Sequence, residues 1–191
     1  MTILLPSDVP VVSTTVVLPE PARRASPPDV RLTLRRPSGV GTFVDGGWWP
    51  HSLDLLVELP ALLAAVEAAG YGEIRRITYA LNAWNGRPPR KAAMLNRIVK
   101  LGGFRDQDPA EISLVDSGGW RRVTLLVVPP SATPVLAQHA LAIAGTNGDR
   151  HHAREILDLA ARSTSMHSSA SGRVDEFAAA RWDSEGGRVG P

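Results

Sequence analysis

The chain has 191 residues and a net charge of +2, with 43% hydrophobic and 21% charged residues and no cysteine. That length suits one domain with tails and is sufficient to bury a core. Disulfides, thiolate metal sites and cysteine nucleophiles are excluded.

Residues 1–28 alternate short β-prone runs with prolines and read as a disordered arm, with Thr14 to Leu18 as an optional edge strand. No Lys or Arg precedes Arg23, and Pro6, Pro10 and Pro19 interrupt the apolar residues, so a signal peptide is not expected. No apolar run reaches the roughly 20 residues that span a bilayer, and a cytoplasmic location is the expectation.

Arg31 to Arg35 alternates polar and apolar, the pattern of a half-buried strand, and Gly41 to Val44 is expected to pair back on it. Asp45-Gly46-Gly47-Trp48-Trp49-Pro50 then reads as a corner. Leu55, Leu56, Leu59, Leu62, Leu63 and Val66 form a helical stripe, with Ser52 as cap, a kink at Pro60 and a stop at Gly70 and Gly72. Strands follow at Glu73 to Leu81, Arg97 to Leu101 (ended by Gly102-Gly103), Glu111 to Val115 and Trp120 to Val128. Asp116-Ser117-Gly118-Gly119 marks a hairpin, and the unbroken apolar run Leu125 to Val128 marks a central strand covered on both faces. Thr133-Pro134 opens a helix to about Ala144, and His151 to Arg162 a second. A disordered tail occupies 163–191, with Val174 to Trp182 as a short amphipathic turn.

This order predicts a single α+β domain over residues 29–162, an antiparallel sheet of about five or six strands with two or three helices on one face. Three motifs carry a resemblance: Asp45 to Pro50, Glu58-Leu59-Pro60 within the run from Asp54, and Leu126-Val127-Val128-Pro129-Pro130. With them the chain resembles an uncharacterised actinobacterial family catalogued as a domain of unknown function. The likeness runs from about Arg31 to Leu157, and it implies no activity, cofactor or catalytic residue.

Charge is the strongest functional signal. Between Glu73 and Arg105 lie Arg75, Arg76, Arg87, Arg90, Lys91, Arg97, Lys100 and Arg105 against Glu73 alone, eight cations to one anion, in a chain whose net charge is only +2. Trp84, Tyr79 and Phe104 fall in the same stretch, and guanidinium groups with interleaved aromatics suit phosphate contact with base stacking. The plainer account is a solvated sheet face whose cations pair with Glu58, Glu67 and Glu111. The residues expected to bind are Trp48, Trp49, Trp84, Arg87, Arg90, Lys91, Arg97 and Arg105.

The expected function is a non-enzymatic intracellular binding or regulatory domain for nucleic acid or another polyanion. The alternative is a protein-interaction module using the Trp48-Trp49 corner or the C-terminal tail. An enzyme built on His51, with Asp45, Asp54 and Glu58 as carboxylate partners, ranks below both. His151, His152 and Glu155 give at most a partial metal-ligand set, and the glycine pairs match no nucleotide-binding loop, so neither metal nor cofactor is expected.

Overall fold

The structure is a computed structural model that describes residues 30–35, 43–146 and 151–166. The expected edge strand at Thr14 to Leu18 and the tail segment Val174 to Trp182 lie outside them. Among the described residues seven strands form one sheet: β1 (Leu32–Leu34), β2 (Gly46–Trp48), β3 (Ile74–Ala80), β4 (Lys91–Met94), β5 (Arg97–Phe104), β6 (Glu111–Asp116) and β7 (Arg122–Val127). Their order is β1-β2-β7-β6-β3-β5-β4. Three α-helices accompany it among the described residues: α1 (Leu55–Val66), α2 (Pro134–Gly145) and α3 (153–166).

The architecture is α+β, but the sheet is mixed rather than antiparallel, and larger than the sequence suggested. β2 runs parallel to β7, and β3 parallel to β5. Short links predict hairpins well, yet they say nothing of pairings between segments far apart in the chain. β2 is the instance: its glycine pair, read as a corner, is a strand between β1 and β7. β4 was not anticipated, because Lys-Ala-Ala-Met is a poor strand sequence on propensity alone. It joins β5 through Leu95 and Asn96, both at positive φ, a tight turn with no glycine to announce it. β5 in turn runs through Gly102 and Gly103, where a break was expected.

Helices cover both faces of the sheet, not one. Leu55, Leu59, Leu62, Leu63 and Val66 of α1 are at most 1% exposed and pack over Trp48, Ile77, Leu114, Leu125 and Val127. Each such burial is worth about 2 kcal/mol. On the opposite face Ala137, Ala140 and Ala144 of α2, with Ala153, Ile156 and Ala160 of α3, pack on Leu126 and Val128. The run Leu125 to Val128 is therefore covered on both sides, as its unbroken apolar character predicts.

Asp54, not Ser52, caps α1: its carboxylate accepts from the amides of Leu56 and Val57. Ser52 donates instead to Glu58 Oε1 at 2.8 Å. α1 continues through Pro60 and ends in a wide turn over Glu67–Tyr71, with Gly70 inside it and Gly72 just after it at positive φ. Thr133 caps α2 with Pro134 in its first turn. α3 runs past Arg162 to 166, and over this last turn Ser163, Thr164 and Ser165 return their hydroxyls to carbonyls one turn back.

Two close approaches fix β2. A Cβ on Gly46 would sit 2.1 Å from the carbonyl oxygen of Thr33, and one on Gly47 would sit 2.9 Å from Leu141 of α2. Gly46→Ala must therefore move β1 or lose the strand. Chemical denaturation is expected to show a loss of about 2–3 kcal/mol; an unchanged midpoint would mean that β1 adjusts freely.

Candidate functional site

On the second face α2 and α3 lie over β1, β2 and β7 and reach β6 at Glu111. Among the described residues, β3, β5, β4 and the rest of β6 turn one face to the α1 core and no helix covers the other. Alternation then sorts the side chains. Ile77, Val99, Leu101 and Leu114 join the α1 core. Arg76, Lys91, Ile98, Lys100 and Phe104 are exposed on the bare side.

Register aligns the cations. Arg122 is opposite Val115, Val115 opposite Arg76, Arg76 opposite Lys100, and Lys100 opposite Lys91. Four positive side chains thus share one row across five strands, at a strand spacing of about 4.8 Å. Between Ile74 and Arg76 the β3–β6 register shifts, a bulge that leaves Arg75 and Arg76 both exposed.

Two adjoining clefts lie on this face and share Arg76 and Lys100. One, of about 730 Å³, is bounded by Arg75, Ile98, Arg122 and the turn Asp116 to Gly119. The other, of about 710 Å³, is lined by Arg76, Arg87, Arg90, Lys91, Lys100 and Arg105 around Thr78, Gly102 and Phe104, with no carboxylate among its walls.

Of the eight cations between Glu73 and Arg105, two are paired. Arg97 binds Glu67, lies 3.7 Å from Glu73, and donates to the carbonyl of Ile74 at 3.2 Å. Arg75 binds Glu73. The other six form no ion pair among the described residues, and all are exposed. Glu58 is occupied by the His51 amide and the Ser52 hydroxyl. Glu111 is drawn into the start of α3, where burial and the nearby Asp108 push its carboxyl above the usual range while the Ala153 amide opposes the shift.

The structure thus brings Arg87, Arg90, Lys91 and Arg105 together and separates Arg97 and the tryptophans from them. Trp48 and Trp84, 2% and 8% exposed, stack on each other in the core with centroids 5.5 Å apart. Trp49 is half-buried beneath Arg31, whose guanidinium lies 3.5 Å from the ring centroid and donates to the Trp49 and Pro50 carbonyls. The conspicuously open aromatic is Trp120, 92% exposed at the β6–β7 turn beside the first cleft. Arg122, Trp120 and the pairing of Arg76 with Lys100 were not singled out from sequence. Period-two alternation along Ile98, Lys100, Gly102 and Phe104 was the available signal for this face.

The other candidates do not converge. Asp45 accepts from the Thr124 amide, Asp54 caps α1, and His51 Nδ1 is 3.7 Å from Glu58. His151 lies 3.5 Å from Glu155, while the His152 ring stacks on Phe43 with centroids 3.8 Å apart. Among the described residues no cluster of three or more His, Asp or Glu could hold a metal ion, and no helix is long and apolar enough to cross a membrane.

The fold is thus an α+β domain in which, among the described residues, no helix covers half of one sheet face. Residues 31–144 match the model of a family of unknown function, DUF5994, and the chain belongs to that family. No curated protein and no solved structure matches it.

Directly opposed like charges oppose folding. Lys100→Gln, which relieves Lys100 of both Arg76 and Lys91, is expected to raise the melting temperature by about 2–3 °C at low salt. The gain should vanish near 1 M salt, where the Debye length is about 3 Å. A destabilised K100Q at low salt would show that Lys100 has a stabilising partner.

Proposed function

We propose that this domain binds nucleic acid through the backbone phosphates, using the bare face of β6, β3, β5 and β4. One observation carries the reading: six exposed cations, without an ion pair among the described residues, line a cleft that has no carboxylate among its described walls. Natural surfaces usually intersperse the two signs, and a single-sign field is costly to the fold unless it meets an opposite charge. A row of cations one or two strands apart suits a polymer of phosphates better than a single small anion. The scattered acid-base candidates favour binding over chemistry, and nucleic acid as partner carries with it a cytoplasmic location.

The test is fluorescence anisotropy with a labelled oligonucleotide at two salt concentrations. If roughly four phosphates meet the row of Arg122, Arg76, Lys100 and Lys91, affinity should fall about fifty-fold between about 50 and about 200 mM salt. Arg76→Glu with Lys100→Glu should abolish binding while leaving the melting transition cooperative. No binding at the lower salt, or unchanged binding by that double variant, would refute the proposal.

A further inference from the structure

Beside the basic row lies a trough floored by small side chains. Thr124, Ser113, Thr78 and Gly102 are mutual partners across β7, β6, β3 and β5, one row along from Arg122, Val115, Arg76 and Lys100. Successive rows on one sheet face are about 7 Å apart. The Ser113 and Thr124 hydroxyls lie 3.3 Å from each other, so part of this floor is polar as well as low.

Phe104 closes the trough. It follows Gly102 by two residues on β5, on the same face, and is 54% exposed. Its ring folds back over the floor: a Cβ on Gly102 would lie 3.3 Å from Phe104 Cε2 and 3.6 Å from Thr78 Cγ2. Glycine therefore lets the ring lie close over the strand and keeps the floor beside it low. The ring stands among Lys100, Arg87, Arg90 and Arg105 on the wall of the second cleft. A large apolar ring kept in water among cations gains little from packing, but it offers a π-face next to phosphate-binding groups.

We infer that the face takes single-stranded nucleic acid, with phosphates on the row of Arg76, Lys100 and Lys91 and a base stacked on Phe104 above Gly102. This rests on the nucleic-acid reading and narrows it. A duplex keeps its bases stacked on one another and has no free base face for the ring, whereas an unstacked strand does.

The experiment compares a labelled mixed-sequence single strand of roughly 12 nucleotides with the same sequence as a duplex. Inorganic polyphosphate serves as an unlabelled competitor. The single strand should bind about tenfold or more tightly than the duplex. Phe104→Leu should weaken single-strand binding about tenfold and leave the apparent affinity for polyphosphate unchanged. Gly102→Val, which fills the trough, should act in the same direction. Because Phe104 is more than half exposed, F104L should melt as the wild type does.

Equal binding of single strand and duplex, or wild-type binding by F104L, would overturn the stacking inference. If the Arg76→Glu, Lys100→Glu double variant still lost both forms, the phosphate reading would stand without it. A wild-type protein that binds neither form at low salt would remove both.

Discussion

The structure depends on β7 being buried from both sides. Leu125 and Val127 enter the core under α1, while Leu126 and Val128 enter the core under α2 and α3. A strand of this kind must lie inside a sheet with a layer on each face, and it sets where the helices dock. α1 covers one face, whereas on the other α2 and α3 cover β1, β2 and β7 and reach β6 at Glu111. The uncovered half of the sheet follows from that unequal cover, and among the described residues no helix packs over what alternates outward on β3, β5 and β4.

The charged side chains that alternate outward on β3, β5 and β4 are all cationic. The chain contains acids that neutralise such charge elsewhere: Glu67 and Glu73 hold Arg97, and Glu73 also holds Arg75. Those pairs gather at one end of β3, around Ile74. Past the bulge, Arg76 faces Lys100 directly and Lys100 faces Lys91. Folding alone gives no reason for such a row, since like charges opposite each other in a sheet repel. A phosphate chain would supply the missing counter-charge. The small floor of Thr78 and Gly102 and the folded-back Phe104 fit the same ligand, because they leave room beside the cations and supply a ring.

Much of the fold was legible in the sequence where the signal was local. Thr133-Pro134 announced α2, Asp116 to Gly119 the β6–β7 turn, and Leu125 to Val128 the doubly covered strand. Distant pairing was not legible. Gly46-Gly47 lies as a strand where β1 and α2 approach it too closely for a side chain, and nothing within the motif reveals those neighbours. β4 is held by pairing with β5 despite weak propensity. The site divided in the same way: the positive excess between Glu73 and Arg105 was plain, but which arginines meet a carboxylate depends on tertiary placement. Trp48 and Trp84 stack on each other across 36 residues of chain, and their aromatic character alone could not separate core from surface.

The most direct measurement is backbone amide NMR mapping of the full chain during titration with a single-stranded oligonucleotide at low salt. If the bare face is the interface, shifts should concentrate at Arg76, Thr78, Lys100, Gly102 and Phe104, while the amides of α1 and of Trp48 and Trp49 stay in place. Shifts confined to α1 or to the Trp49 and Arg31 contact, with β3 and β5 unmoved, would contradict the account.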